Sequence, residues 1–229
     1  MCILSKGIQE LCNCDEDIKT LIAPESEKII ALLNRYINEI EFFNPAYGLV
    51  GTSDRNELII KHILDSLAPL GVISRILPRT AANEKNASIK IADAGSGAGL
   101  PGIPLAIAMN DYDFTLIERM GRRAGFLLNT KATLTLNNVN IEEKELENVK
   151  STFNLITFRA FKPFEPKLLR TLFKLLAPGG IIAAYKGRRE KIDEEMQAFK
   201  EAQWQWEVIP CPVPFLEEER HLTVIHSCL

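Results

Sequence analysis

The segment Asp93-Ala94-Gly95-Ser96-Gly97-Ala98-Gly99 constrains this chain more than any other part of it. A short apolar run, Ile89, Ile91 and Ala92, leads into Asp93, and a helix-compatible run begins near Leu100. Glycines at such a junction let the backbone turn with φ > 0 and leave amide N–H groups uncovered by any Cβ. The following helix points its positive end at the same space. Open α/β sheets bind ligands in that crevice, at the carboxyl ends of their strands.

The pattern on either side agrees. Strands are predicted at Ser88–Asp93, Asp113–Glu118, Val139–Glu142, Phe153–Phe158 and Gly180–Lys186, with helices at about Leu100–Ala108, Gly121–Leu136 and Pro163–Leu176. This alternation implies a parallel sheet covered on both faces. A charged helix over Arg188 to Ala202 follows, then two apolar runs, Trp204–Val213 and His221–Cys228. With no helix between them, the two runs form an antiparallel pair at the sheet edge. Pro78–Ala87 reads as a loop before the main domain, so the expected division is a helical extension over residues 1–77 and an α/β domain over 88–229. In the extension, Ile29, Leu33, Tyr36, Ile40 and Phe43 recur at helical steps within Pro24–Phe43, and Asn44-Pro45 ends that helix. A second helix fits Arg55 to Leu70, ended by Pro69 and Gly71. Both stripes read as core packing.

At 229 residues, with 46% hydrophobic and 25% charged side chains, the chain can bury a core without disulfide or metal support. A net charge of -3 predicts no polybasic coat, so any polyanion contact rests on a local patch. The opening residues carry no secretory pattern, and no run reaches the length of a membrane span. The five cysteines therefore read as reduced thiols in a cytoplasm, and Cys12 and Cys14 are too close for a usual zinc pair. No metal site is expected.

Two cofactors compete for the glycine loop. Gly97, Gly99 and Gly102 satisfy the dinucleotide pattern G-x-G-x-x-G, and Glu118, at the end of the next strand, would meet the ribose of either cofactor. Three features favour S-adenosylmethionine. The acid-x-Gly-x-Gly-x-Gly form around Asp93 resembles the first methyltransferase motif. Pro178-Gly179-Gly180 resembles the turn common before the fifth methyltransferase strand. After the apparent edge hairpin there is no second domain to hold a hydride-transfer substrate.

Further blocks narrow the resemblance. Lys61-His62-Ile63-Leu64-Asp65-Ser66, Asp93 to Pro104, Phe114 to Glu118, Gly121-Arg122-Arg123, Arg159-Ala160-Phe161, Lys186-Gly187 and Glu219-Arg220-His221-Leu222 occur in the order found in one family. The chain resembles the bacterial small-subunit ribosomal RNA methyltransferase G family, also called glucose-inhibited division protein B. The resemblance implies an α/β class I S-adenosylmethionine-dependent methyltransferase fold. That fold is a Rossmann-like, seven-stranded, mostly parallel sheet with an antiparallel edge strand, behind an N-terminal helical extension. It also implies methyl transfer to ring nitrogen 7 of a guanine in the decoding region of 16S ribosomal RNA. Gly95 and Leu100 match the family's loop contacts, Leu146-Glu147 the pair beside the adenine, and Arg159 the arginine after the fourth strand. The chain departs from the family at Gly48-Leu49-Val50, where Asn-Leu-Thr is usual, and at Glu118, where Asp is frequent.

The expected cofactor set is thus Asp93, Gly95, Gly97, Gly99, Leu100, Glu118, Leu146, Glu147 and Arg159. No residue is assigned a certain catalytic step. Ring nitrogen 7 has a lone pair and no proton, so alignment and exclusion of water suffice. The absence of Asn/Asp-Pro-Pro-Tyr after the fourth strand agrees with that. Arg159 is either a surface cation or a group that orients cofactor or RNA, the second being favoured by its place at a strand's carboxyl end. Phe158 and Phe161 either stack on an extruded base or pack in the core. His62 reads as a satisfied core histidine, and Cys211 as a packed strand residue.

Arg122, Arg123, Lys186, Arg188, Arg189 and Arg220 gather on the loop's rim and are expected to bind RNA phosphates. The expected partner is 16S ribosomal RNA, as RNA, 30S subunit or assembly intermediate, with no DNA and no membrane, and the chain as a cytoplasmic monomer. The alternatives are a methyltransferase of another RNA, a protein or a small molecule, and a binder of S-adenosylmethionine that performs no chemistry.

Overall fold

The computed structural model describes residues 2–77, 89–159, 164–197 and 204–227. The expected loop at Pro78–Ala87, and also Phe161 and Cys228, lie outside these residues. Seven strands form one sheet: β1 (Lys90–Ala94), β2 (Asp113–Ile117), β3 (Val139–Glu142), β4 (Phe153–Arg159), β5 (Leu176–Lys186), β6 (Trp204–Pro210) and β7 (His221–Ser227). Their order is β3-β2-β1-β4-β5-β7-β6. The chain runs outward from β1 to β3, then returns to place β4 on the other side of β1. That reversal opens a crevice at the carboxyl ends of β1 and β4. The glycine loop leaves β1 there.

The antiparallel strand sits one place further in than expected. β7 pairs antiparallel with both β5 and β6, so the edge strand β6 points the same way as β5. After β5 the chain passes through a helix and lays β6 down one strand position away. β7 then returns into the vacant slot. The expected turn at Pro178-Gly179-Gly180 is also relocated. β5 already begins at Leu176, and the three residues form an irregularity between the pairs Phe153–Leu176 and Leu155–Ile181. Gly179 takes φ +73° there, a left-handed value that a residue without Cβ accepts.

The helices of the first 77 residues are more numerous than the periodicity predicts. They are α1 (Ile3–Cys14), α2 (Glu16–Ile22), α3 (Ser26–Tyr47), α4 (Arg55–Leu58), α5 (Asp65–Leu67) and α6 (Leu70–Ile76). Between α4 and α5 lies a π-helical segment, Ile59–Leu64. Pro45 does not stop α3: it fits the last turn, and the helix ends at Gly48, whose N–H bonds to the Asn44 carbonyl. The helical run from Arg55 stops at Leu67, just before Pro69, and Pro69 then stands at the cap of a further helix, α6. Gly71 lies inside α6 because a Cβ there would collide with the Asp15 carboxylate. The same Asp15 caps α2, accepting from Asp17 and Ile18 N–H. Short helices held by such tertiary contacts leave little periodicity to read.

In the α/β part, α7 (Gly102–Ala108), α8 (Gly121–Leu134), α9 (Pro166–Lys174) and α10 (Arg189–Gln197) complete the described helices. One apolar cluster runs from Leu4, Ile22, Leu33 and Tyr36 through Leu67 and Ile73 to Ile91, Phe114, Leu155 and Val224. The N-terminal helices therefore bury their stripes against one face of the sheet. The opposite face carries Ile156, Phe158, Leu169, Leu172 and Ile182. Leu155 and Ile156 serve opposite clusters because neighbouring strand residues point to opposite faces. Among the described residues no helix is long and apolar enough to cross a membrane.

Candidate functional site

Gly95, Gly97 and Gly99 take φ +70°, +58° and +90°, so the loop after β1 makes the turns that required glycine. Side chains around it hold this shape. Glu118 accepts the Gly97 N–H at 2.9 Å and the Met120 N–H at 2.8 Å. Asp93 accepts the Gly102 N–H at 3.1 Å, and the Tyr36 hydroxyl donates to the Ala98 carbonyl at 2.7 Å. Tyr36 is fully buried on α3, so the N-terminal helices brace the loop directly. Its place on a helical apolar stripe signalled burial but gave no hint of its hydroxyl's partner.

Asp93 and Gly99 stand behind the loop rather than on a cleft wall. Asp93 is buried, which pushes its carboxyl up to about 7 against the opposing Gly102 hydrogen bond, and its Oδ1 has no partner. A Cβ on Gly99 would meet Ile103 at 2.6 Å and Leu127 at 2.9 Å, so that glycine permits close packing. The space in front of Gly97 is open: a Cβ there would meet nothing nearer than 3.9 Å.

Three clefts adjoin in front of the strand ends. The first, about 320 Å³, lies between Gly95, Ile117, Glu118, Leu146, Glu147 and Leu168. The second, about 350 Å³, lies between the loop, from Gly95 to Leu100, and a roof of Leu49, Val50 and Gly51. Gly48-Leu49-Val50, where the chain departs from the family pattern, thus contributes to that roof. Asn44 anchors it, accepting the Val50 N–H and donating to the Thr52 carbonyl. The third cleft, about 380 Å³, is walled by Lys61, Phe158, Lys186, Cys211 and Arg220 among others. Gly95 and Arg123 border both the first and second clefts, and His62 and Arg159 border both the second and third.

Arg159 is the joint of this arrangement. Its guanidinium donates to Asp65 at 2.8 Å, approaches His62 Nδ1 at 3.1 Å, and reaches the carbonyls of Lys61 and His62 at 3.4 and 3.3 Å. A π-helical turn offers carbonyls in an altered hydrogen-bond pattern, and such turns recur at functional sites. Asp65 is buried and its other oxygen is ion-paired with Arg220 Nε at 3.1 Å, so two guanidiniums share one carboxylate. His62 is only half-buried, against the core reading of its sequence position. Burial, then the Arg159 charge, pushes its imidazole down to about 4. It is neutral at pH 7.

The remaining cations divide. Lys186 and Arg220 face into the third cleft, Lys186 bonded to Glu195 at 2.6 Å and lying 4.0 Å above the Phe164 ring. Arg122, Arg188 and Arg189 are exposed outside, Arg122 above the Tyr47 ring and Arg189 paired with Asp193. Cys211 is buried, which pushes its thiol up to about 12 and leaves it a packed, unreactive group. Phe158 is buried as well and edge-packed on Phe164.

The first two clefts suit S-adenosylmethionine. Apolar Ile117, Leu146 and Leu168 offer a slab for an adenine, Glu118 keeps free lone pairs for ribose hydroxyls, and the open loop leaves room for the amino-acid part. Comparison with known proteins agrees with this geometry. The family model described as rRNA small subunit methyltransferase G matches residues 29–223. The chain belongs to that family. A protein named ribosomal RNA small subunit methyltransferase G from Treponema denticola is 38% identical, covering 98% of this chain and 94% of the relative. Its namesake from Treponema pallidum (strain Nichols) is 40% identical, covering 98% and 93%.

Solved structures share the fold at low identity. The plantazolicin methyltransferase BpumL in complex with SAH has a TM-score of 0.56 at 13% identity, covering 88% of this chain and 98% of that one. Magnesium protoporphyrin IX methyltransferase from Synechocystis, with bound SAM, has a TM-score of 0.52 at 10% identity, covering 84% and 97%. Family and fold together make the chain a class I S-adenosylmethionine-dependent methyltransferase.

Proposed function

We propose that this chain transfers the methyl group of S-adenosylmethionine to ring nitrogen 7 of a guanine in the decoding region of 16S ribosomal RNA. The observation that carries the reading is the junction at His62 and Arg159. There a cleft fitted to the cofactor meets a cation-walled cleft of comparable size. Gly95, Gly97, Leu100, Glu118, Leu146, Glu147 and Arg159 hold the cofactor, while Asp93 and Gly99 shape the loop from behind. When bound, S-adenosylmethionine supplies an electrophilic methyl group to a nitrogen that needs no deprotonation.

The work of the protein is therefore positional. Glu118 fixes the loop amides, Arg159 holds the wall between cofactor and acceptor, and the Leu49–Gly51 roof excludes water. Arg122, Arg123, Arg188 and Arg189 gather ribosomal RNA phosphates, with Lys186 and Arg220 deeper in the acceptor cleft. Residues 1–77 act as an extension that supplies the roof and one wall of the acceptor side, and 88–229 as the cofactor-binding domain. The setting is a cytoplasm and the acting unit a monomer.

Mapping 7-methylguanosine in 16S RNA from cells with and without the gene tests the assignment. The modification disappears in the deletion and returns with the gene; persistence in the deletion refutes it. Charge reversal at the exposed Arg122, Arg188 and Arg189 together weakens methylation of 30S subunits and lowers its salt dependence. An unchanged rate removes the phosphate-binding role.

A further inference from the structure

Two histidines border the third cleft, and their hydrogen bonds fix opposite tautomers. His62 Nδ1 lies 3.1 Å from an Arg159 amino group. A guanidinium has no acceptor, so His62 Nδ1 accepts and its single proton sits on Nε2. His221 Nδ1 lies 2.6 Å from the Gly187 carbonyl, which can only accept, so His221 Nδ1 carries the proton. In neutral form its Nε2 is an acceptor. Both residues border the cleft, where His62, on the side of the second cleft, offers a donor at Nε2 and neutral His221 an acceptor at Nε2. Among the described lining residues the one carboxylate, Asp65, is already shared by Arg159 and Arg220.

A guanine presents the matching pair on adjacent atoms, O6 as acceptor and N1–H as donor. Adenine presents the reverse, an amino donor at position 6 and an acceptor at N1. O6 also neighbours nitrogen 7, so a base held by O6 beside His62 keeps nitrogen 7 on the side of the cofactor clefts. A neutral donor suits this place. The purine gains positive charge on methylation, and an imidazolium at His62 would oppose it.

Resting on the guanine-7 reading above, we propose that His62 Nε2–H donates to O6 and His221 Nε2 accepts N1–H of the acceptor guanine. The two histidines thereby select guanine over adenine in the third cleft. The 2-amino group is not read by either.

Asparagine and glutamine separate this role from a structural one. At position 62, Asn places an oxygen where Nδ1 was and keeps the Arg159 contact, while Gln places its amide near Nε2 and keeps the donor. At position 221, Asn keeps a donor for the Gly187 carbonyl, while Gln keeps an acceptor near Nε2. Single-turnover methylation of unmodified 30S subunits is expected to fall roughly 10- to 100-fold in His62→Asn and His221→Asn, with glutamine restoring much of the loss. S-adenosylmethionine affinity by calorimetry stays within about threefold in the His221 variants, and the His62 variants, whose side chain also borders the second cleft, are compared at saturating cofactor. In 16S RNA carrying inosine at the target position methylation is retained, and with 2-aminopurine, which lacks O6 and N1–H, it is lost.

Nitrogen-15 spectra of the imidazoles give a readout independent of activity: His62 protonated at Nε2 and His221 at Nδ1. Rescue by asparagine instead of glutamine, equal activity in all four variants, loss of inosine methylation or the opposite tautomers would each overturn the proposal. Should wild-type enzyme methylate no guanine in the 30S subunit, the underlying functional reading fails instead.

Discussion

The first and third clefts flank the second at the carboxyl ends of the strands, yet they are made of different material. The proposed cofactor side is built mostly from backbone. Two left-handed glycines, Gly95 and Gly97, set its floor with Gly99 packed behind them, and Glu118 and Asp93 tie their carboxylates to nearby N–H groups. The proposed acceptor side is built from side chains that arrive from distant segments. Lys61, His62 and Asp65 come from the N-terminal helices, Arg159 from β4, Lys186 from β5, and Arg220 and His221 from the last hairpin. A backbone-built site tolerates side-chain change but not a change of φ. A side-chain-built site does the reverse, and depends on its ion network for shape.

Four experiments sharpen that contrast. The largest effect is expected at Gly95, whose φ of +70° is closed to a β-branched residue and which borders both cofactor clefts. Gly95→Val removes S-adenosylmethionine binding in calorimetry; retained affinity would show that the loop is not the cofactor floor. Next comes Asp65→Ala, which strands Arg159 and Arg220 in a largely buried setting. It costs about 3–5 kcal/mol in urea unfolding, because an uncompensated buried charge is left behind. A loss below about 1 kcal/mol, the range of exposed pairs, would mean the network is solvated and does not shape the cleft.

The two sides also respond oppositely to pH. Asp93 has its folded value raised from 3.8 to about 7, so its contribution is fullest at low pH and declines as pH rises through that interval. His62 has its folded value lowered from 6.5 to about 4, so its contribution is full above 6.5 and is lost as pH falls toward 4. Unfolding curves collected from pH 4 to 8 are expected to show the alkaline decline flattened in Asp93→Asn and the acid decline flattened in His62→Gln. Identical profiles in both variants and wild type would contradict the burial of these groups. The smallest effect is expected at Tyr36→Phe, which removes one buried hydrogen bond to the loop at Ala98 and costs about 1 kcal/mol. It also weakens cofactor binding if the N-terminal helices brace the loop; unchanged affinity would confine Tyr36 to packing.

How much of this was legible in the sequence follows the same division. The glycine loop, the alternation of strands and helices and the antiparallel pair at the end are local patterns, and each lies where the residues suggested. The sequence ends the helix too early at Pro45, which fits the final helical turn, and misses the helix that starts just after Pro69. α1 carries a legible helical stripe, Leu4, Ile8 and Leu11, absent from the expected helices, whereas the seven residues of α2, capped by Asp15, leave too little periodicity. His62 read as core because its neighbours Ile59 and Ile63 are core. Only the approach of Arg159, 97 residues later in the chain, reveals which ring nitrogen bears the proton.

The sequence by itself determined the strand–helix alternation, the glycine loop and the family, because each depends on residues close in the chain or on blocks kept in order. Tertiary structure alone decided that Asp65 is shared by Arg159 and Arg220, that Tyr36 props the loop, and that His62 and His221 hold opposite tautomers. The physical reason is that hydrogen bonds and buried charges take their roles from partners in space. Those partners were brought together by a core that runs from Leu4 to Val224.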